Sequence, residues 1–294
     1  MRWLLITLLA IITTPVLYSA DEPLRIICFG AHPDDCELKA AGVGAMWAAK
    51  GHQVKFVSVT NGDIGHWRES GPALARRRKV EVEAADKSLG ITTEILDIHD
   101  GELEPTLANR RTVTRLIREW KADIVMSHRP NDYHPDHRYT GVLVQDAAFM
   151  VAVPKFMPEV AVLKRNPVFL FYSDRFLKPN PFKPDVVVAI DAVQAKKIAA
   201  LERMESQFYE GGANGGPEMV PNDPKAQAKR RADVRNALQN RDRSAAKQFR
   251  DKLTDLYGAD LAAKVEFAEA FEICEYGRQP DGTELRRLFP FFEK

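Results

Sequence analysis

Short apolar runs rich in β-branched residues alternate with helix-period segments from residue 24 to residue 190, and this alternation constrains the fold more than any other feature of the chain. Residues 24–29, 53–60, 94–98 and 124–127 read as strands, with helices expected over 37–50, 73–89, 107–120 and 136–149. Gly51 and Gly90 stand where the first two helices must stop. Strand, helix, strand at this spacing requires parallel strands joined by right-handed crossovers. The expected fold is therefore α/β: a Rossmann-like, mostly parallel sheet with helices on both faces. Residues 168–172 and 186–190 read as two more strands. Beyond Asp191 the pattern turns helical: one helix over 193–209, a glycine-rich break at 211–217, and two charged helical stretches over 224–257. Residues 265–274 read either as a late strand or as a packed extension. Residues 21–294 are thus expected to form one domain with a helical C-terminal elaboration at about 211–260.

Composition narrows the function. The 294 residues are 45% apolar and 28% charged, which excludes disorder, and 42 basic against 41 acidic residues leave a net charge of +1. That balance lacks the electrostatic footprint of a nucleic-acid partner, and a small neutral or mildly polar substrate fits better. Basic runs such as 229–231 and 241–243 read as solvated helix faces. Cys28, Cys36 and Cys274 are too few for a disulfide scaffold and read as buried thiols. Residues 1–20 join Met1-Arg2, an uncharged run and Tyr18-Ser19-Ala20. They read as a signal peptide, so a periplasmic or extracellular location is expected; contact with a membrane follows only if the segment stays uncleaved as an anchor.

The chemistry concentrates at the ends of the first and fourth strands. Ala31-His32-Pro33-Asp34-Asp35-Cys36-Glu37 follows the first, and Asn131-Asp132-Tyr133-His134-Pro135-Asp136-His137 follows the fourth. If the strand order is 3-2-1-4-5, these tips face each other at the switch point where α/β sheets bind ligands. Two histidines and a carboxylate from one loop, with a histidine and two carboxylates from the other, have the composition of a catalytic zinc site. Spacing does not decide which of Asp34 and Asp35 would bind the metal. Thr60-Asn61-Gly62-Asp63 is a third tip, and Arg78 either reaches a substrate or pairs with Glu81 one turn away. His66-Trp67 reads as part of a sugar platform or as a cap on the core edge, and His128 ends the fourth strand beside the site. Gly42-Val43-Gly44 lies inside a helix and is not a dinucleotide fingerprint.

These two clusters, together with 60–63, Arg78 with Glu81, Asp191 before a lysine-rich helix and the run 268–271, resemble the PIG-L/LmbE-like N-acetylglucosaminyl deacetylase family over about 24–210 and 265–275. The resemblance implies zinc, with ferrous iron as the alternative, on His32, Asp35 and His137. It also implies Asp34 as general base, His134 as oxyanion donor, and Asp136 as the carboxylate that orients and charges His134. Arg78 would bind substrate. The implied reaction removes an N-acetyl group from an N-acetylglucosamine-type sugar or conjugate by metal-activated water. Because export is expected, cell-envelope or environmental amino sugars fit better than cytoplasmic thiol precursors. Two alternatives stay open: a non-catalytic carbohydrate-binding module, and a metal-dependent amidase acting on a non-sugar amide.

Overall fold

The computed structural model describes residues 22–292; the proposed signal peptide at 1–20 lies outside the described residues. Seven strands form one sheet: β1 (Arg25–Gly30), β2 (Gln53–Ser58), β3 (Thr92–Ile95), β4 (Ile124–Ser127), β5 (Val168–Tyr172), β6 (Val186–Ala189) and β7 (Ala268–Gly277). Their order is β3-β2-β1-β4-β5-β7-β6. The pairs β3-β2, β2-β1, β1-β4 and β4-β5 are parallel, whereas β7 runs antiparallel to both neighbours. The first five strands thus have the doubly wound order, with its switch between β1 and β4. β1 shows why: Ile26 and Cys28 enter one core, Ile27 and Phe29 the other, so the strand is apolar on both faces and needs helices on each.

The helices are α1 (Asp35–Ala49), α2 (Gly71–Leu89), α3 (Leu107–Trp120), α4 (Pro135–Met150), α5 (Gln194–Leu201), α6 (Glu205–Phe208), α7 (Pro224–Gln248), α8 (Arg250–Tyr257), α9 (Ala259–Ala262) and α10 (Gly282–Leu288). Among the described residues no helix is long and apolar enough to cross a membrane. The late strand is real and longer than expected: β7 carries residues 268–271 into the sheet between β5 and β6. All three cysteines are buried free thiols.

The single helix expected over 193–209 is broken. A short turn at Asp191–Val193 precedes α5, and Met204 leaves helical geometry (φ −89°, ψ 66°) before α6. The chain bends because the Glu81 carboxylate captures both the backbone N–H and the hydroxyl of Ser206, at 3.3 and 2.6 Å. That interaction draws α6 toward α2, a tertiary demand that local periodicity does not carry.

A buried arginine closes the other end of the molecule. Arg118 donates to the carbonyls of Met150, Val151, Val153, Phe156, Met157 and Val160, collecting the open C-terminus of α4 and the turn beyond it. Arg118→Met is expected to cost about 3 kcal/mol or more, because several carbonyls lose their donor inside the protein. Denaturant unfolding at unchanged m-value measures this; a loss under about 1 kcal/mol would contradict the capping role.

Candidate active site

The loops after β1, β2, β3 and β4 converge at the carboxyl edge of the sheet. Three residues meet there at nearly equal spacing, Asp35 through both carboxylate oxygens. His137 Nε2 lies 3.2 Å from His32 Nδ1 and 3.4 Å from Asp35 Oδ1, and His32 Nδ1 lies 3.4 Å from Asp35 Oδ2. Ligands at about 2.0–2.1 Å around a tetrahedral ion stand about 3.3–3.4 Å apart, so one divalent cation fits this cradle.

The outer ring nitrogens are held by carboxylates, which is how metal-binding imidazoles keep the inner nitrogen unprotonated. His137 Nδ1 is 3.0 Å from Asp132 Oδ1. His32 Nε2 is 3.2 Å from Asp100 Oδ1 and 3.3 Å from Asp136 Oδ2. A neutral His32 therefore offers Nδ1, and a neutral His137 offers Nε2, to the same point in space. Asp132→Asn is expected to weaken divalent-metal affinity about 10–100-fold by releasing the His137 ring. Competition against a chelating dye reads it directly, and an unchanged affinity would remove Asp132 from that role.

The adjacent carboxylates Asp34 and Asp35 sit in opposite environments. Asp35 accepts the His32 backbone N–H at 2.8 Å, and although burial opposes its charge, His137 and His128 hold its pKa well below the ordinary carboxylate value. Asp34 is 6% exposed; burial, together with the charge of Asp35, raises it to about 6. One carboxylate is held charged among the imidazoles, and its neighbour is poised to take up a proton.

His134 caps the N-terminus of α4: its Nδ1 accepts the N–H of Asp136 at 3.2 Å. The proton of the neutral ring must then sit on Nε2. Burial, with His32 and His137 nearby, lowers its pKa, which favours the neutral ring. Asp136 has several partners. Its carboxylate accepts from the backbone N–H groups of Gly101 (2.7 Å) and Leu103 (3.3 Å) and faces His32. It also lies close to His134, whose pKa its charge raises, while its main-chain N–H donates to His134 Nδ1.

Arg78 is 3% exposed. Its Nη2 donates to Gly65 O at 2.6 Å and to Gln207 Oε1, and its charge acts on Asp34. Gly62 and Gly65 make this possible, since a Cβ at either would run into the guanidinium. The one-turn pairing with Glu81 is made by Arg77 instead, at 3.1 Å. His66 and Trp67 form no open platform. The Trp67 indole donates to Glu210 O at 2.9 Å, its backbone N–H donates to Gly212 O at 2.9 Å, and its ring packs against Gly215. His66, Glu69 and Glu210 could together hold an ion. The cluster is already neutralised, because Arg77 bonds Glu210 through two nitrogens and Glu69 through one. His66 Nδ1 accepts two backbone N–H groups, which leaves the proton on Nε2, 3.0 Å from Glu210.

Sequence reasoning missed Asp100 and left Asp132, within the second cluster, and His128 without a role. His128 is buried, stacks on His137 at 4.1 Å and lies 3.3 Å from Asp35 Oδ2. Its position immediately after β4 was a usable signal; Asp100, on the β3 loop far from either cluster in sequence, had none.

The fold is a doubly wound α/β sheet with a candidate metal-holding imidazole-carboxylate cradle at its switch point. Residues 27–148 match the family model described as PIG-L, GlcNAc-PI de-N-acetylase. Diacetylchitobiose deacetylase of Thermococcus kodakarensis is 30% identical over 208 residues, covering 66% of this chain and 75% of the relative. The chain belongs to the PIG-L family and is an enzyme of its deacetylase class. The solved N,N'-diacetylchitobiose deacetylase of Pyrococcus horikoshii shares the fold at a TM-score of 0.64 and 23% identity, over 85% of this chain and 83% of that one. GalB of Pseudomonas putida KT2440, a 4-carboxy-2-hydroxymuconate hydratase, shares it at 0.69 and 19% identity, over 88% and 99% of the two chains. The fold alone therefore does not choose the reaction, and the site must.

Proposed function

We propose that this protein is a zinc-dependent hydrolase that removes the acetyl group from an N-acetylglucosamine-type sugar or conjugate, and that export through residues 1–20 directs it to cell-envelope or environmental amino sugars. The observation that carries the reading is the split pair: Asp35 held ionised within the His32–His137 cradle, and Asp34 beside it, buried and raised to about 6. A divalent ion held by His32, Asp35 and His137 would supply Lewis acidity and lower the pKa of a water from about 15.7 toward about 7. The chain's own residues do the rest. Asp34 accepts the proton of the attacking water and returns it to the departing amine. His134 Nε2–H donates to the carbonyl oxygen as negative charge grows there, and a neutral donor suffices. Arg78 places positive charge behind Asp34 and steadies its ionised form.

Metal analysis of the purified protein, combined with a fluorescamine assay for new amines on a panel of N-acetylated sugars, tests the reading. Stoichiometric zinc and amine release on the sugars are expected; reloading with ferrous iron separates the two candidate metals. Sugar binding without amine release would overturn it in favour of a carbohydrate-binding module, and amine release confined to non-sugar amides would overturn the substrate class.

A further inference from the structure

The turn between two site residues carries a large ring left mostly open to solvent. Tyr133 is 70% exposed, although it stands between Asp132, which holds the His137 ring at 3.0 Å, and His134, the proposed oxyanion donor. Its ring centre lies 5.4 Å from that of His137 and 5.8 Å from that of His134, near perpendicular to both (75° and 85°), so it flanks the two imidazoles on the solvent side of the site. A second ring comes from the loop after β5: Phe176 lies 6.3 Å from Tyr133, tilted by 45°. No ring among the described residues lies flat on Tyr133, which leaves its face open to another group.

The main chain beneath both rings is tied down. Arg138 Nη1 donates to the carbonyls of Asp132 and Tyr133 at 3.0 Å each, and Asp132 Oδ1 also accepts the His134 N–H at 3.2 Å, which pins the turn on either side of Tyr133. Phe176 is fixed at both its polar backbone groups: its N–H donates to Asp174 Oδ1 at 2.9 Å and its carbonyl accepts from Arg129 Nη2 at 3.2 Å. Arg129, 7% exposed and just beyond β4, closes the frame by bonding Asp174 through two nitrogens at 2.6 and 2.7 Å. The tips of β4 and β5 therefore present a pre-set aromatic surface beside the imidazoles, and a ligand meeting it has little loop entropy to overcome.

We propose that Tyr133, backed by Phe176, is the stacking platform for the pyranose ring that carries the acetamido group. This rests on the deacetylase reading and narrows its substrate to a sugar in closed-ring form. A carbonyl that accepts from His134 Nε2–H is two bonds from the sugar carbon bearing the nitrogen, so an aromatic ring beside His134 and His137 meets the pyranose itself rather than a remote substituent. The axial C–H groups of a gluco-configured pyranose make its faces apolar and slightly positive, the complement of the negative face of an aromatic ring. Tyr133 thus selects the sugar ring, while the cradle and Asp34 act on the amide.

The test compares N-acetylglucosamine with N-acetylglucosaminitol, its open-chain alcohol, by kcat/KM and by calorimetric binding to the metal-loaded protein. Both carry the same acetamide, and only the first has a ring. The wild type should favour the closed sugar, and Y133A should lower the closed-to-open ratio about three- to tenfold, with F176A acting in the same direction. Y133F and Y133W, which keep a flat face, should restore the ratio. A ratio unmoved by Y133A, whether both substrates fall together or neither falls, would overturn the platform, and one unmoved by F176A would strike Phe176 from it. A Y133F protein that loses about a hundredfold in kcat at unchanged KM would also overturn it, since the hydroxyl rather than the ring would then be essential. Tyr133-dependent binding of the closed sugar without amine release from any sugar would instead sink the deacetylase reading while leaving the platform in place.

Discussion

Asp34→Asn protein should bind its metal with wild-type stoichiometry and lose about 10²–10⁴ in kcat on N-acetylated sugars. The substitution keeps the shape of the side chain and removes only its capacity to hold a proton. Asp35, which contributes to the cradle, is untouched, so uptake and turnover part company. The pH profile carries the same information. A base must be ionised to act, and burial with the neighbouring Asp35 charge raises Asp34 to about 6. Activity of the wild type should therefore fall as pH drops through that value, and a bound cation, favouring the ionised form, moves the limb lower but not higher. Stopped assays across pH 4–8 read the limb at about 6 or below. Near-normal turnover in the variant would refute the assignment of Asp34 as base.

Stripping the metal should abolish turnover altogether and soften the fold. Three donors from two loops, His32 and Asp35 after β1 and His137 at the start of α4, are drawn within 3.4 Å of one another. Without a cation, two imidazoles and a carboxylate, backed by Asp100, Asp132 and Asp136, keep an excess of acidic charge in a buried place. Binding to the native state alone stabilises by RT ln(1 + [L]/Kd), about 2.7 kcal/mol at a hundredfold excess over Kd. A chelator-treated sample should thus melt several degrees lower, and one equivalent of zinc should return both activity and melting temperature. Unchanged activity after verified removal of all divalent metal would be incompatible with the proposed chemistry.

Much of the architecture was legible in the residues alone. Doubly apolar strands such as Ile26–Phe29 demand cover on both faces, and helix-period segments between them supply it. The same reading put His32, Asp34 and Asp35 on one strand tip and His134, Asp136 and His137 on another, and the tips do meet. It could not place β7, because an antiparallel strand arriving after some eighty residues of helix leaves no local mark of which neighbours it will choose. Nor could it see that Glu81 would break a helix by taking Ser206, or that Arg118 would close α4.

The amino-acid sequence by itself determined the layer architecture and the inventory of chemistry, because hydrophobic period and residue type are local properties that each segment carries with it. Only the tertiary structure decided the surroundings of that inventory: Asp35 between His32 and His137, the Asp136 carboxylate within reach of His32, and Arg78 buried against Gly65 and Gln207. Such assignments depend on distances of three or four ångströms between residues more than a hundred positions apart. Electrostatics and hydrogen bonding act over those lengths, and the order of residues along the chain does not encode them.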